Sequence, residues 1–491
     1  PMRIECRWGA TRAGQLTAVE ATIWADGGAY ASTSAEVTKV ATLFASGVYA
    51  VPNVSATGYA VYTNNVPCGA FRGFGAPQAQ FAAEVMMTRL AAAIGMDPVE
   101  FRRRNLYREG DIEPTQQPLP PGVSAVPVLD ACLAEMARQG MIWGGERREA
   151  REDDARPDGR DPSTSLRVTE NGAASASRLS PLASRLRRGV GVACGMKNLG
   201  YSFGYPEQST ATVELCGRGE IERAVVRIGA ADVGQGSHLA LRQIAADALE
   251  LPLERIEMVT DDSSATPNAG SASASRMTLM GGRAVHDAAR QALDRYRNSD
   301  DERVEATVQF RPPATTMLAA DDGSGIPNYC YGYAAQAVEV EVDLRTGQVR
   351  IVKIVSAHDV GRAINRQQVE GQIEGCLAQA IGYALLEDFR VRDGQVLTAH
   401  LSTYLLPTAL DVPPDIVPVV LELADPHGPF GARGVAELPL VPFLGAVAVA
   451  IHDATGVWLT DQPFTPERVL AALTRSADQN RAAAPDMAAP A

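Results

Sequence analysis

Three stretches of the chain repeat one arrangement of apolar and polar positions. IECRWGATRAGQLTAVEATIWADGG, ATVELCGRGEIERAVVRIGAADVGQG and AVEVEVDLRTGQVRIVKIVSAHDVG each alternate on both sides of a turn. They end in the loops Asp26-Gly27-Gly28, Asp232-Val233-Gly234 and Asp359-Val360-Gly361. A period of two marks a strand, so each stretch predicts a β-hairpin followed by an Asp-x-Gly loop. Their spacing is too irregular for a solenoid, whose units recur at a fixed period. Helical patterning predicts helices over 78–94, 238–249, 281–296, 367–388 and 466–475. Hairpins mixed with long helices predict an α+β fold, with mixed sheets and hairpins covered by helices.

Two of these helices carry more than packing information. In 78–94, Gln80, Glu84 and Thr88 form a thin polar ridge on an otherwise apolar helix, which predicts burial. Asp97-Pro98 then supplies the N-cap and first-turn proline of a further helix. In 367–388, Gln368, Gln372 and Gln379 fall on one face beside Gly371, Gly375 and Gly382. An uncharged donor and acceptor row flanked by glycines suggests that something approaches closely; a solvated polar face is the alternative.

Composition divides the chain. Residues 145–188 are charged, rich in Ser and Ala, and nearly free of aromatics, too polar to fold alone. They read as a linker or insertion between apolar bodies at 1–144 and 189–475, and the Ala/Pro-rich residues 476–491 read as a disordered tail. The 491 residues carry 45 Lys plus Arg against 58 Asp plus Glu, a net charge of −13. That balance argues against nucleic acid as a partner. The run from Leu438 to Ile451 contains Pro439 and Pro442 and is shorter than the ~20 residues of a membrane span. Seven scattered cysteines, never in a C-x-x-C pair, exclude a disulfide framework, a zinc ribbon and an iron–sulfur ligand set on this chain. With no export signal at its start, the chain is expected in the cytoplasm.

Some familiar patterns fail on context. Gly200-Tyr201-Ser202-Phe203-Gly204 has the spacing of a nucleophile elbow, but Pro206 and a strand-like segment follow where a helix is needed. The glycines of 189–195 open no helix, so they are not a dinucleotide fingerprint. The six histidines form no short metal-ligand pair.

Four other segments read as parts of one site. The run 67–78, including Phe71, Arg72 and Phe74, is a glycine-rich loop feeding a helix N-terminus, with Arg72 adding fixed positive charge toward an anionic or oxo-bearing ligand. Asp232 to Ser237 sets the Gln235 amide between Gly234 and Gly236, ahead of a helix. The run Gly270 to Arg276 presents Ser271, Ser273, Ala274 and Ser275, small residues suited to cradling phosphate. Glu437 is a single carboxylate inside the apolar run 434–443. Such surroundings are expected to raise a carboxyl's proton affinity, which suits a general base. Pairing with nearby Arg433 is the alternative.

Through A-F-R-G-F-G-A-P-Q, D-V-G-Q-G-S-H, S-A-S-A-S-R, the H-D-V-G-R-A-I-N to Q-I-E-G stretch and G-A-R-G-V-A-E, the chain resembles the molybdenum hydroxylases of the xanthine dehydrogenase and aldehyde oxidase family. The resemblance lies in the C-terminal part of their large subunit, across two molybdopterin-binding domains. It implies a molybdopterin cofactor, in bacteria commonly the cytosine dinucleotide form, whose molybdenum carries oxo, hydroxo and sulfido ligands. It also implies that Glu437 takes the proton from the hydroxo group as that oxygen attacks an electron-poor carbon, while hydride passes to the sulfido sulfur. Arg72 and Ala274 match positions beside the metal. Phe71, Gln235, Gly236, Ser271, Ser273, Ser275, Gln372 and Gln379 are the implied cofactor-binding set. Phe74 and Phe203 match two phenylalanines that sandwich a flat substrate ring, so a purine-like or other N-heterocyclic aromatic is the implied substrate.

The chain departs from the purine hydroxylases where their substrate-gripping arginine falls on Val40 and a nearby threonine falls on Gly204, which argues against xanthine itself. Phe71-Arg72-Gly73 lacks the cysteine that holds copper in carbon monoxide dehydrogenases. The resemblance further implies partner chains: an iron–sulfur subunit with [2Fe–2S] clusters, an FAD subunit, the N-terminal half of the molybdenum subunit if that subunit is split, and a dimer of such heteromers. The competing expectations are an aldehyde oxidoreductase of the same family, a catalytically incomplete fragment, and a hydrolase using Ser202.

Overall fold

The computed structural model describes residues 1–30, 32–143, 148–149 and 185–483. Its three predicted hairpins are all present. Strands β1 (Met2–Ala10) and β2 (Leu16–Gly28) pair antiparallel, as do β6 (Ser209–Cys216) with β7 (Arg223–Arg227) and β10 (Tyr331–Asp343) with β11 (Val349–Asp359). Each hairpin grows into a mixed sheet. The first adds β3 (Val54–Tyr62) parallel to β2. The second adds β8 (Ile256–Val259) parallel to β7 and β9 (Arg303–Phe310) antiparallel to β6, giving the order β8-β7-β6-β9. The third is the heart of a five-stranded sheet. There β14 (Asp415–Leu421) runs parallel to β11, while β5 (Leu186–Asn198) lies antiparallel to β10 and to the short β4 (Arg148–Glu149), in the order β14-β11-β10-β5-β4.

Helices cover these sheets as predicted. Helix α1 (Ser34–Leu43) crosses from β2 to β3; α2 (Ala76–Ile94) and α3 (Pro98–Asn105) follow, with Asp97 Oδ1 accepting from the backbone N–H of Val99 at 2.9 Å and Glu100 at 2.8 Å. Helix α4 is Ala125–Arg138, α5 Ser237–Leu249, α6 Gly282–Arg297, α7 Arg366–Ile381, α8 Phe443–Thr455 and α9 Pro466–Ala483. The polar ridge of α2, Gln80, Glu84 and Thr88, is buried. Glu84 pairs with Arg102 at 2.8 Å with both side chains inaccessible and accepts from the Tyr49 hydroxyl, while Gln80 bonds both polar groups of the Met196 backbone.

The apolar run continues to Thr455, and by length and composition Leu438–Thr455 is enough to cross a membrane, but 83% of it is buried inside the fold, most of it as the core helix α8 on β5 and β10. Glycines on β5 allow that contact. A Cβ at Gly189 would stand 2.3 Å from the Ala450 carbonyl oxygen, and one at Gly191 2.1 Å from that of Ala446. The two apolar stretches flanking the insertion are not separate bodies in space. One core joins Phe44, Tyr49, Val128 and Cys132 to Val192, Cys194, Tyr333 and Ala357, so α4 packs on the opposite face of the five-stranded sheet from α8. Two boundaries also move: Arg185 to Arg188, assigned to the insertion, lead into and form part of β5, and α9 continues past 475 to Ala483 because its Ala-rich continuation favours helix. The rest of the insertion, β4 apart, and residues 484–491 lie outside the described residues.

Candidate functional site

Four loops converge on one cavity of about 1190 Å³. The turn ahead of α2 brings Phe71, Arg72 and Phe74; the end of β5 and its following loop bring Lys197, Asn198, Ser202 and Phe203. The approach to α6 brings Ser273, Ala274 and Ser275, and the turn ahead of α8 brings Glu437. Gln235 and Gly236 at the start of α5, and Gln368 and Gln372 on α7, complete the wall. Four of these residues hold the left-handed backbone conformation that side chains disfavour: Phe74 (φ 50°), Phe203 (φ 56°), Ala274 (φ 51°) and Ser275 (φ 52°). Strain gathered at one cavity is a mark of a working site, because only surrounding structure can hold it there.

Glu437 is fixed from several sides. Its backbone N–H donates to Ser275 Oγ at 3.0 Å, and its Oε1 accepts from the Gly73 N–H at 3.2 Å. Lys197 Nζ stands 3.6 Å from its Oε2, which is buried and has no hydrogen-bond partner among the described residues. An acceptor of this kind marks where a ligand's donor belongs. The alternative partner, Arg433, is committed elsewhere, to Asp359 at 2.8 Å and Asp425 at 3.2 Å, all three inaccessible. Glu437 therefore does not lie in purely apolar surroundings, as its sequence neighbours suggested: the charge of Lys197 is beside it. Burial holds the Lys197 amine below its ordinary proton affinity, against the opposing attraction of Glu437.

Arg72 crosses the base of the cavity. Its Nε donates to the Ala436 carbonyl and its Nη2 to Gln372 Oε1 at 3.0 Å, so one guanidinium joins the turn of α2, the Glu437 loop and α7. Close packing shapes the rest. Any Cβ on Gly434 would stand 1.9 Å from the Ser275 carbonyl oxygen, and one on Gly236, where φ is +80°, 2.2 Å from Gln368 Nε2. The Gln235 amide turns back on its own loop, accepting from the Val233 N–H at 2.6 Å and donating to the Ala231 carbonyl at 2.9 Å. Gly371 and Gly375 are exposed, off the cavity wall, with open space beside them as on a solvated face, whereas a Cβ on Gly382 would stand 2.3 Å from Glu387 Oε1.

Two residues of the expected set lie off the cavity wall. Ser271 is exposed and spends its hydroxyl on Ser273 Oγ at 2.8 Å, while its carbonyl is held by the buried Arg276. Gln379 is two turns beyond Gln372, ~10 Å farther along α7, and leaves the cavity as the helix does. The sequence reading passed over Lys197, although a single charge closing the apolar run of β5 is the signal that singled out Glu437. The elbow-like Ser202 lies between two strands with no helix after it, and its hydroxyl bonds the Asn328 side chain.

Comparison with known proteins agrees with this geometry. The family model described as molybdopterin cofactor-binding domain matches residues 1–106, and a second model of the same description matches 167–310 and 296–413. The chain is 30% identical to one of the probable xanthine dehydrogenase subunits of Bacillus subtilis, over 97% of this chain and 62% of that protein. It is 32% identical to the aldehyde oxidoreductase of Megalodesulfovibrio gigas, over 96% of this chain and 49% of that one. The solved Desulfovibrio gigas aldehyde oxidoreductase superposes with a TM-score of 0.79 at 29% identity, over 96% of this chain and 49% of that one. Quinoline 2-oxidoreductase of Pseudomonas putida 86 superposes with a TM-score of 0.75 at 25% identity, over 96% and 62%. The chain thus spans between half and two-thirds of the length of these relatives.

Proposed function

We propose, from the premise that this chain belongs to the molybdopterin-binding subunits of the xanthine dehydrogenase and aldehyde oxidoreductase family, that it forms the base-bearing wall of a molybdenum hydroxylase site. The observation that carries this reading is Glu437: a held carboxylate whose Oε2, beside Lys197, lacks a hydrogen-bond donor among the described residues, in the wall of the cavity where the family's motifs meet.

The residues present fit the cofactor. Gln235, Gly236, Ser273 and Ser275 would hold its polar edge and phosphates, with Gln372 and Arg72 at its metal end and Ala274 leaving room beside the metal. When bound, the molybdenum cofactor supplies the oxygen and accepts the electron pair in the hydroxylation of an electron-poor carbon. The chain's own residues do the rest. Glu437 accepts a proton at Oε2, and the Gly73 N–H and Ser275 hydroxyl keep that oxygen aimed. Lys197 balances the carboxylate's charge in its buried place. Phe74 and Phe203 present rings to the cavity that orient a flat substrate and exclude water.

An N-heterocyclic aromatic is the favoured substrate. Val40 and Gly204 line the cavity where the purine hydroxylases carry a gripping arginine and a threonine, so the wall favours a less polar ring than xanthine. The 32% identity to an aldehyde oxidoreductase supports an aldehyde as the second reading. The cofactor is of the cytosine dinucleotide form, the remainder of the molybdenum subunit completes its binding, and electrons leave through partner chains carrying [2Fe–2S] clusters and FAD.

The test is turnover of the assembled complex with a dye acceptor on quinoline, nicotinate, purines and aldehydes. Hydroxylation of a heterocycle that Glu437→Gln abolishes supports the reading. Turnover of aldehydes alone transfers support to the second, and unchanged turnover in Glu437→Gln overturns both.

A further inference from the structure

A line of hydrogen bonds runs from Lys197, past half-buried Ser202 on the cavity wall, into the interior. Its Nζ donates to Asn198 Oδ1 at 2.6 Å, and Asn198 Nδ2 donates to Ser202 Oγ at 2.8 Å. Ser202 in turn donates to Asn328 Oδ1, Asn328 Nδ2 donates to the Tyr331 hydroxyl at 2.8 Å, and that hydroxyl donates to Glu113 Oε2 at 3.0 Å. Lys197, Asn198, Asn328, Tyr331 and Glu113 are all buried.

The line has a single polarity, which follows from its chemistry. Lys197 can only donate, so Asn198 must turn its oxygen inward and its NH₂ outward. Ser202 Oγ then accepts a hydrogen bond from Asn198 and donates its own O–H to Asn328, and the same order carries through to Tyr331. The line closes only on a group that accepts, and Glu113 is that group. Amides do not shuttle protons readily, so what this line transmits is orientation and charge.

We propose that Glu113 is a remote positioning residue for the candidate site, holding Lys197 against Glu437 through the line Asn198, Ser202, Asn328 and Tyr331. The inference rests on the reading of Glu437 as the base and deepens it. A carboxylate at 113 stabilises the polarity that places Asn198 Oδ1 on Lys197. A neutral acid can instead offer its own O–H to Tyr331 and weaken that polarity.

Burial raises the Glu113 carboxyl to about 7, so it changes charge near neutrality. The titratable groups facing it are Tyr107, just ahead of its own loop, and Tyr331 and Tyr333 from β10. Burial holds all three phenols above their ordinary value, and Arg433, the cation acting on Tyr333, is tied to Asp359 and Asp425.

The chain has three lysines, Lys39, Lys197 and Lys353, which makes the test direct. In the full chain labelled with [¹⁵N]lysine, the Lys197 Nζ resonance is followed from about pH 5 to about pH 9, alongside the infrared carboxyl band of Glu113. The expected result is an inflection of the Lys197 resonance near 7 that disappears in Glu113→Gln. In Ser202→Ala the inflection also disappears while the Glu113 band still titrates, and Lys39 and Lys353 are unaffected throughout. In the molybdenum-loaded assembly, Ser202→Ala and Tyr331→Phe lower kcat several-fold near pH 8 and remove its dependence on the group near 7. A wild-type Lys197 resonance without the inflection, or one that keeps it in Glu113→Gln or Ser202→Ala, overturns the proposal. Because the resonance needs no cofactor, that failure is distinct from a loaded assembly that does not hydroxylate, which overturns the reading of Glu437.

Discussion

Glu437 and Lys197 show how one sequence argument reaches two residues when applied evenly. Each is a lone charge in an apolar run, Glu437 within one and Lys197 closing another, and a buried charge implies a partner or a task. The acid was legible because nothing polar surrounds it in sequence. The cation was not, because its partner is 240 positions away and only the meeting of β5 with the turn ahead of α8 brings them together. Glu437→Gln keeps the shape of the side chain and removes the proton acceptor. Steady-state kinetics should show kcat lowered by roughly 10²–10⁴-fold with KM little changed. Backbone strain, by contrast, has no sequence signature here: nothing in S-A-S-A-S-R announces a left-handed alanine. Ala274→Gly relieves that strain, and urea unfolding should show it more stable by about 1 kcal/mol, with a loss of stability contradicting the assignment.

The hairpins and the amphipathic helices were legible because one face of each meets water and leaves a period. Helix α8 was not, since its small and apolar residues are nearly all buried and follow Pro439 and Pro442; α1 and α4 also went unread, although α4 has one buried and one exposed face. What marks α8 is instead on its partner, in the glycines of β5. Gly191→Ala would press a methyl group against the Ala446 carbonyl oxygen and the Ala450 N–H, both rigid backbone. Denaturant unfolding should show a loss of at least about 1–3 kcal/mol, whereas a neutral result would mean that α8 sits farther from the sheet. The buried pair of Glu84 on α2 and Arg102 on α3 is the comparable polar staple. Arg102→Met strands a buried carboxylate and should cost about 3–5 kcal/mol in the same measurement.

Across the whole molecule, the composition break at 145–188 was plain in the sequence, but the shared core on either side of it was not, because pairings of such separation leave no local trace. The buried titratable groups make stability depend on pH with opposite signs. Glu113, raised from 4.5 to about 7, keeps its proton in the folded state after the unfolded chain has lost it. Its effect is that stability falls as pH rises from about 4.5 to about 7. His358, pushed down by burial to about 3, acts oppositely, and its contribution is lost as pH falls from about 6.5 toward 3. Urea unfolding of Glu113→Gln should therefore gain on the wild type by up to about 3 kcal/mol between pH 4.5 and pH 8.

The central claim is that this cavity holds a molybdenum–pterin cofactor beside Glu437. Its most direct test is the molybdenum and pterin content of the native assembly, for the wild type, Glu437→Gln and Gly236→Val. The account predicts stoichiometric metal and pterin in the first two and a marked loss in the third, where the added side chain fills the turn ahead of α5 and pushes on Gln368. An assembly without molybdenum, or a Gly236→Val variant with full cofactor content, would contradict it.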